Sequence, residues 1–224
     1  MTTEEFLNIK VVLIGETNVG KTSIILRYAA NTFKNELMTT SGASFVSKSV
    51  TINDKCIKFE IWDTAGQEKF RAVTRIFYQN AKVCILVYDI TKRESFTELK
   101  NFWVNEIQNN IQKDASKIIY IIFKIYIYIV LALVGNKTDL YEQEVVSYDE
   151  GLELAKNINA IYQRTSAKEQ SGGVDELFNN IGKKILDPSY EIVSNMTREE
   201  RRKKGEKLLK QQIKTENPKS RCCS

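Results

Sequence analysis

The apolar positions of this chain follow two periods, one of two residues and one of three to four. Residues 45–52 and 55–62 alternate with period two and predict a hairpin, with its turn at Asn53-Asp54. Residues 83–88 and 130–134 are continuous apolar runs, typical of strands buried on both faces of a parallel sheet. Helical spacing predicts two amphipathic helices, with apolar positions at Phe96, Leu99, Trp103, Ile107 and Ile111, and at Val174, Leu177, Phe178, Ile181 and Ile185.

Predicted strands and helices alternate along the chain. Residues 6–14 predict a further strand, and residues 21–30 predict the helix that follows it. The capping box Ser147-Tyr148-Asp149-Glu150 predicts the start of another helix, and Ile161-Tyr162 predicts a short strand. Such alternation indicates an α/β fold built around a mainly parallel sheet.

Two aromatic residues break the alternation of the hairpin. Phe45 falls on the serine face of its predicted strand, and Trp62 falls on the face that carries Lys58 and Glu60. Either the strand ends fold beneath a loop that covers both rings, or the rings form an exposed contact surface. The pattern favours neither interpretation, because single exposed apolar residues are common.

The apolar stretch from Ile118 to Val134 is too long for one strand. As a strand it would extend roughly 55 Å, about three times the normal length. As a helix it would span roughly 26 Å, slightly less than a bilayer core of about 30 Å. It would also carry Lys124 near its middle. Length and charge therefore disfavour a membrane-spanning helix.

Charge is distributed unevenly along the chain. The formal net charge is +5, but residues 198–221 hold 10 Lys/Arg and 4 Asp/Glu, a net charge of +6, so the preceding residues are close to neutral. We divide the chain into a folded domain at 1–187 and a disordered basic tail at 188–224. The near-neutral domain gives no reason to expect nucleic acid as a partner, whereas the tail favours an anionic membrane surface.

The 4 cysteines do not have the pattern of a disulfide framework. Cys56 and Cys84 lie in predicted strands, while Cys222 and Cys223 are adjacent near the C-terminus. The first residues lack the basic and apolar regions of a signal peptide, and position 2 is not the glycine that myristoylation requires. We therefore expect a reducing, cytosolic location.

The chain has no histidine, which excludes imidazole bases and histidine-ligated metals.

The segment Gly15-Glu16-Thr17-Asn18-Val19-Gly20-Lys21-Thr22 fits the phosphate-binding P-loop pattern. Its glycines allow backbone N–H groups to approach phosphates, and the following helix directs its N-terminus toward them. Lys21 can reach the β- and γ-phosphates, and the Thr22 hydroxyl can hold Mg²⁺. The alternative for this motif alone is a glycine-containing turn between a strand and a helix.

A second motif, Asp63-Thr64-Ala65-Gly66-Gln67, follows a predicted strand. Asp63 can bind Mg²⁺ through water, as a Walker-B aspartate does. The backbone N–H of Gly66 can reach the γ-phosphate, and Gln67 is the best candidate for orienting the attacking water. Turns of this kind are common at strand ends, but the spacing from the P-loop favours a functional site.

A third motif, Asn136-Lys137-Thr138-Asp139, follows a buried strand, at the edge where α/β sheets bind ligands. A carboxylate accepts two hydrogen bonds side by side, and guanine offers two donors on one edge where adenine presents a lone pair. Asp139 is therefore predicted to select guanine. Lys137 is expected to lie over the base and to brace the P-loop. The alternative is an Asn/Asp turn after a strand.

Together with Thr165-Ser166-Ala167-Lys168, these motifs in this order resemble the small GTPases of the Ras superfamily. Residues 61–68, 77–81 and 86–91 and the adjacent terminal cysteines resemble the Rab family, and residues 41–45 with Gly15-Glu16 resemble its endosomal branch. The resemblance implies the P-loop small GTPase fold: a mainly parallel six-stranded sheet with one antiparallel edge strand and flanking helices.

The resemblance also implies roles for individual residues. Gln67 would be catalytic, and Thr22, Thr40 and Asp63 (through water) would hold Mg²⁺. Phe33 would stack on guanine, and Thr40 would be the switch I threonine that senses the γ-phosphate. Effectors would contact Phe45, Trp62 and Phe77, and Cys222 and Cys223 would be geranylgeranylated. The implied nucleotide-binding set comprises Gly15, Thr17, Asn18, Val19, Gly20, Lys21, Thr22, Ser23, Phe33, Thr40, Asp63, Gly66, Asn136, Lys137, Asp139, Ser166, Ala167 and Lys168.

The implied function is a GTP/GDP switch in vesicle trafficking, on the cytoplasmic face of endosomal or related membranes. Its partners would be a GTPase-activating protein, an exchange factor, a prenyl-binding escort and effectors. Three features depart from the family pattern. They are the residue types at two positions, Ser41 and Leu37, and about a dozen extra residues at 118–129. The extra residues are either a loop insertion or a translated intron. The alternative function is a guanine-nucleotide-binding module that no longer cycles.

Overall fold

The computed structural model describes residues 6–35, 40, 43–64, 81–111 and 129–187. The strands are β1 (Leu7–Ile14), β2 (Ala43–Ile52), β3 (Lys55–Thr64), β4 (Val83–Asp89), β5 (Val130–Asn136) and β6 (Ile161–Thr165). The helices are α1 (Lys21–Ala30), α2 (Arg93–Glu98), α3 (Val104–Ile111), α4 (Tyr148–Asn157) and α5 (Val174–Ile185). A π-helical turn at Leu99–Trp103 joins α2 to α3, and a 3₁₀ helix spans Thr138–Gln143.

The described strands form one six-stranded sheet in the order β2-β3-β1-β4-β5-β6. The edge strand β2 runs antiparallel to β3, and all other neighbouring pairs are parallel. This arrangement confirms the predicted fold class. The strand order reverses direction at β1, which lies between β3 and β4. Ligands of α/β proteins bind at the carboxyl ends of the strands at such a point.

The hairpin of β2 and β3 forms as its alternation predicts. Asn53 and Asp54 have positive φ values of 48° and 60°, a conformation that Asn and Asp tolerate in a two-residue turn. In the resulting register Val46 lies opposite Ile61, and Phe45 lies opposite Trp62. The two unexpected aromatics are therefore direct cross-strand neighbours on the same face of the sheet.

Helices cover both faces of the sheet, and the sheet separates the apolar core into two layers. Side chains of β1 alternate between the layers: Val11 and Leu13 face α1 and α5, while Val12 and Ile14 face α2–α3 and α4. In the first layer the ring of Tyr28 stacks on Phe178 with centroids 3.6 Å apart. Burial of apolar side chains on both faces explains why β4 and β5 are apolar without alternation.

Several boundaries differ from those that the pattern predicted. β1 begins at Leu7, leaving Phe6 44% exposed. β5 and β6 continue beyond their apolar runs to Asn136 and Thr165, because the parallel ladder pairs these two residues. Polar residues thus end both strands, which an apolar run cannot predict.

The long apolar stretch is described only from Ile129 onward. Ile129 packs partly buried against the core, and residues 130–134 form most of β5, as predicted. The remainder of the expected insertion, 118–128, lies outside the described residues. Within the part of the chain that the structure describes, no helix has the length and apolar character to span a bilayer.

Candidate functional site

The loops at the carboxyl ends of β1, β3, β5 and β6 surround a cavity of about 420 Å³, a size common for small-molecule sites. It brings the separate motifs together. The predicted site residues that line it are Thr17, Asn18, Gly20, Lys21, Thr22, Ser23, Phe33, Thr40, Asn136, Lys137, Asp139, Ala167 and Lys168.

The P-loop requires glycine at two of its positions. Gly15 has a φ of 152°, and a Cβ atom there would lie 2.2 Å from the carbonyl oxygen of Val87. Gly20 has a φ of 96°, and a Cβ atom there would lie 2.3 Å from Nδ2 of Asn136. Gly20 also precedes α1, whose first turn has no side-chain cap. The first N–H groups of α1 therefore remain available to an anion at this edge.

Lys21 is a buried cation at the floor of the P-loop. Its Nζ donates to the carbonyl oxygens of Gly15 and Glu16, each at 2.8 Å. Burial lowers the pKa of Lys21 to about 8, and the nearby carboxylate of Asp63 partly offsets that effect. Neutral carbonyls compensate a buried charge less well than an anion does. The site is therefore electrostatically suited to a phosphate.

The three predicted metal-binding residues meet beside Lys21. Thr22 Oγ1 donates to Asp63 Oδ2 at 2.6 Å, and Thr40 Oγ1 lies 3.0 Å from Thr22 Oγ1. Thr40 Oγ1 is also 3.4 Å from Asp63 Oδ2. Burial raises the pKa of Asp63, and the hydrogen bond from Thr22 works against that shift.

This cluster fits Mg²⁺. Its donors are two hydroxyls and a carboxylate, the hard oxygen ligands that Mg²⁺ prefers. The second carboxylate oxygen, Asp63 Oδ1, is buried and accepts no hydrogen bond from any residue in the described ranges. An unpaired buried carboxylate oxygen is unfavourable. A bound cation, or a water molecule held by that cation, would satisfy it.

Asp139 also lines the cavity and is oriented by the loop after β6. Ser166 Oγ donates to Asp139 Oδ1 at 2.6 Å, and Lys168 Nζ lies 4.0 Å from Asp139 Oδ2. Ser166 is fully buried, so its hydroxyl has a fixed partner. The carboxylate that was predicted to select guanine therefore has a defined orientation.

Asn136 joins three segments of the site and is 1% exposed. Its Nδ2 donates to the carbonyl oxygen of Val19 at 2.9 Å. Its Oδ1 accepts from Thr165 Oγ1 at 3.0 Å and from the N–H of Ala167 at 3.3 Å. One amide thus fixes the P-loop against β5 and β6.

The expected contact of Lys137 with the P-loop is wrong. Its Nζ pairs with Asp89 Oδ2 at 2.7 Å, and Asn136 makes the P-loop contact instead. Asp89 is fully buried at the end of β4, so it requires a cation nearby. Lys137 itself has a φ of 71°, in the left-handed region of the backbone.

The family model described as Ras family matches residues 10–187. The chain belongs to the Ras family. Relatives identify it more narrowly as a Rab-type small GTPase, a protein that hydrolyses GTP, of the kind that acts in membrane trafficking. This confirms the family resemblance noted in the motifs.

Three relatives illustrate the similarity of this Rab-type chain. Ras-related protein RabJ of Dictyostelium discoideum is 41% identical over 177 residues, covering 79% of this chain and 63% of RabJ. Human Ras-related protein Rab-21 is 41% identical over 178 residues, covering 80% of this chain and 72% of Rab-21. Rab-21 of Geodia cydonium is 42% identical, with 80% and 71% covered. The matched region is thus slightly under two thirds of RabJ.

Some residues of this Rab site were missed by sequence analysis. Lys34, Asn35, Thr64 and Leu140 also line the cavity. The first two follow Phe33, and Thr64 and Leu140 each follow a predicted aspartate, so sequence adjacency was a usable signal. The role of Asp89 had a signal too, since it directly follows the predicted strand 83–88, just as Asp63 follows a predicted strand.

Other predicted residues lie at the margin of the site or outside the described ranges. Gly15, Val19, Asp63 and Ser166 contact lining residues without lining the cavity themselves. Gly66, Gln67, Phe77, Cys222 and Cys223, with Ser41 and Leu37, fall outside the described residues.

The two aromatics of the hairpin form an edge-to-face pair. The ring centroids of Phe45 and Trp62 are 5.3 Å apart, and Phe45 is 51% exposed. Lys10 Nζ lies 5.4 Å from the centroid of the Trp62 ring. The exposure of Phe45 favours the second of the two interpretations, a contact surface.

Proposed function

We propose that this Rab-type GTPase is a membrane-anchored switch that alternates between GTP and GDP. The observation that carries the proposal is the contact of Thr40 with both Thr22 and Asp63. Thr40 comes from a segment outside the four motifs, yet it reaches the point where Mg²⁺ and the γ-phosphate would meet. A residue so placed can respond to the presence of that phosphate.

In the proposed complex the phosphates lie on the P-loop and the N-terminus of α1. Lys21 would exchange its two carbonyl partners for phosphate oxygens, and backbone N–H groups from Gly15 to Ser23 would supply further donors. Mg²⁺, when bound, would neutralise developing charge on the phosphates. Thr22 and Thr40 would hold it directly, and Asp63 would hold it through water.

The guanine base would occupy the Asp139 side of the cavity. The carboxylate would accept two hydrogen bonds from the base, while Ser166 keeps it oriented. Phe33, Lys137, Ala167 and Lys168 also line the cavity and would contact the base. ATP would be rejected because adenine lacks the matching pair of donors.

For hydrolysis, we assign Gln67 to orienting the attacking water and the Gly66 N–H to the γ-phosphate. Intrinsic turnover should be slow, on the order of 10⁻⁴ per second as in Ras, until a GTPase-activating protein contributes an arginine. An exchange factor would restore the GTP state, and effectors would bind Phe45, Trp62 and Phe77.

The remaining assignments concern the domains and the membrane. The GTPase domain would span residues 1–187, with 118–129 as an insertion, and the basic tail would span 188–224. Prenylation of Cys222 and Cys223 would anchor the protein to the cytoplasmic face of endosomal or related membranes, helped by the net charge of +6 at 198–221. A prenyl-binding escort would carry it through the cytosol.

Tryptophan fluorescence can test the switch. The protein would be loaded with GDP or with a non-hydrolysable GTP analogue for the emission spectra. In parallel, single-turnover phosphate release would be measured on protein loaded with GTP. Trp62 is half-buried on the contact face, whereas Trp103 is 2% exposed in the core. The proposal predicts different emission in the two states, and loss of that difference in Trp62→Phe. Identical emission despite tight binding would support a module that does not cycle.

A further inference from the structure

We propose that Arg27, which lies outside every nucleotide motif, is a positioning residue for the guanine base. Arg27 is on α1, six positions after Lys21, and does not line the cavity. It holds two segments that flank the base subsite. The inference rests on the proposed function, since it requires guanine in that subsite.

The guanidinium of Arg27 makes four hydrogen bonds. Nε donates to the carbonyl oxygen of Ala167, and Nη2 donates to that of Lys168, both at 2.9 Å. Nη1 donates to the backbone oxygen of Asn31 at 3.0 Å and to its Oδ1 at 2.9 Å. Four of the five N–H donors of an arginine are thus directed to fixed acceptors.

These acceptors lie in, or close in sequence to, two segments that line the cavity. Ala167 and Lys168 line the cavity on one side. Asn31 directly follows α1 and has the left-handed conformation, with a φ of 51°, and Phe33 lines the cavity two residues later. One planar side chain therefore sets the separation between Phe33 and the Ala167–Lys168 segment.

The loop held by Arg27 also carries the residue that orients Asp139. Ser166, which immediately precedes Ala167, donates to Asp139 Oδ1 at 2.6 Å. Without Arg27 the carbonyl oxygens of Ala167 and Lys168 lose the guanidinium that donates to both of them. The backbone of the loop after β6 can then adopt more conformations. Asp139 would then be held less well in the geometry that accepts two hydrogen bonds from guanine. Lysine cannot replace Arg27, because an ammonium lacks the planar fork that reaches several acceptors at once.

The test compares GDP with inosine diphosphate, whose base lacks the exocyclic amine and so offers Asp139 one donor instead of two. Dissociation rates of both from Arg27→Gln and Arg27→Lys would be measured against the unaltered protein with Mg²⁺ present. We expect GDP to leave about tenfold faster and inosine diphosphate less than about threefold faster, since a looser Asp139 mainly loses the second hydrogen bond. Discrimination between the two nucleotides would therefore fall in both variants.

Lys48→Met is the matched control. Lys48 Nζ donates to the carbonyl oxygen of Tyr28, the next residue of α1, at 2.7 Å, and pairs with Asp175 at 3.7 Å. The first bond anchors α1, the helix that carries Arg27, and the second reaches α5; neither of them involves the Ala167–Lys168 segment. We expect its GDP dissociation rate to change less than about twofold.

The outcomes separate the inference from the proposed function. Three results would overturn the positioning role alone. The Arg27 variants could release GDP and inosine diphosphate with equal acceleration, or release both at unchanged rates. Alternatively, Lys48→Met could accelerate GDP dissociation as much as the Arg27 variants do. An unaltered protein that binds neither nucleotide would overturn the proposed function, and the positioning role with it.

Discussion

The side-chain amide of Asn136 donates to the backbone carbonyl of Val19, 117 positions earlier, at 2.9 Å. This bond ties the end of β5 to the P-loop and lets the base and phosphate parts of the site share one rigid support. The same amide also binds Thr165 and Ala167. The relative position of the motifs is therefore set by a buried polar network rather than by the loops themselves.

Asn136→Leu should both destabilise the protein and weaken nucleotide binding. The substitution leaves the carbonyl of Val19, the hydroxyl of Thr165 and the N–H of Ala167 without their buried partner, which costs about 2–4 kcal/mol. Urea unfolding and GDP affinity would be measured together. Asn105→Ala is the control, because Asn105 is exposed and its amide donates to the backbone oxygen of Asn101, one turn earlier in the chain. Equal stability of the two variants would contradict the role of Asn136.

Asp139→Asn should change the base preference from guanine to xanthine. Asparagine presents one donor and one acceptor where the carboxylate presents two acceptors, and xanthine has a carbonyl at the position of the guanine amine. We expect the affinity for GDP to fall about 100-fold or more. Competition against labelled GDP by unlabelled ATP and xanthosine diphosphate measures this. If ATP competed with the unaltered protein as well as GDP does, Asp139 would not be the selector.

Gln67→Leu should slow hydrolysis while leaving nucleotide affinity almost unchanged. A group that orients water acts mainly in the transition state and contributes little to ground-state binding. Single-turnover phosphate release and GDP dissociation are the two measurements. An unchanged release rate, both alone and with a GTPase-activating protein, would exclude Gln67 from catalysis.

Stability in acid should depend on Glu150. Its carboxylate accepts from Arg93 and from the N–H of Ser147, and the Arg93 bond, followed by the Ser147 bond, lowers its pKa from 4.5 to about 2. Because the folded-state pKa is the lower one, the contribution is complete above pH 4.5 and disappears as the pH falls toward 2.

Urea unfolding of the unaltered protein and of Glu150→Gln at pH 5, 4 and 3 tests this dependence. The unaltered protein should be the more stable at pH 5, and the difference should shrink as the pH falls. Glu153→Gln, an exposed residue of the same helix, controls for the loss of one carboxylate. A stability difference that stays constant from pH 5 to 3 would contradict the prediction.

Replacing Cys222 and Cys223 together with serine should move the protein from membranes to the cytosol. One lipid chain holds a protein only marginally, so stable anchoring requires two chains or one chain with a basic segment. Nucleotide binding should survive, since the site lies within the folded domain. Fractionation of cells that express the variant is the measurement. Continued membrane association would place the anchor elsewhere, with residues 118–134 as the first segment to test.

Periodicity and motif spacing predicted most of the fold. The hairpin, the buried strands β4 and β5, and the capping box of α4 all followed from patterns within fewer than twenty consecutive residues. These features depend on local backbone preferences and on which side of an element is apolar, and both are written in consecutive residues. Strand ends such as Asn136 and Thr165 were missed because their polar side chains are buried by neighbours distant in sequence.

By itself the sequence determined which chemical groups are present and in what order: the P-loop, a carboxylate after β3, and a guanine-selecting motif after β5. Only the tertiary structure decided which groups touch. Thr22 meets Thr40 and Asp63 across 18 and 41 positions, and Arg27 meets Ala167 across 140. Lys137 pairs with Asp89 and not with the P-loop. Such contacts follow from strand order and helix packing, because side chains separated by tens of residues are brought together only when the sheet and its two helical layers have formed.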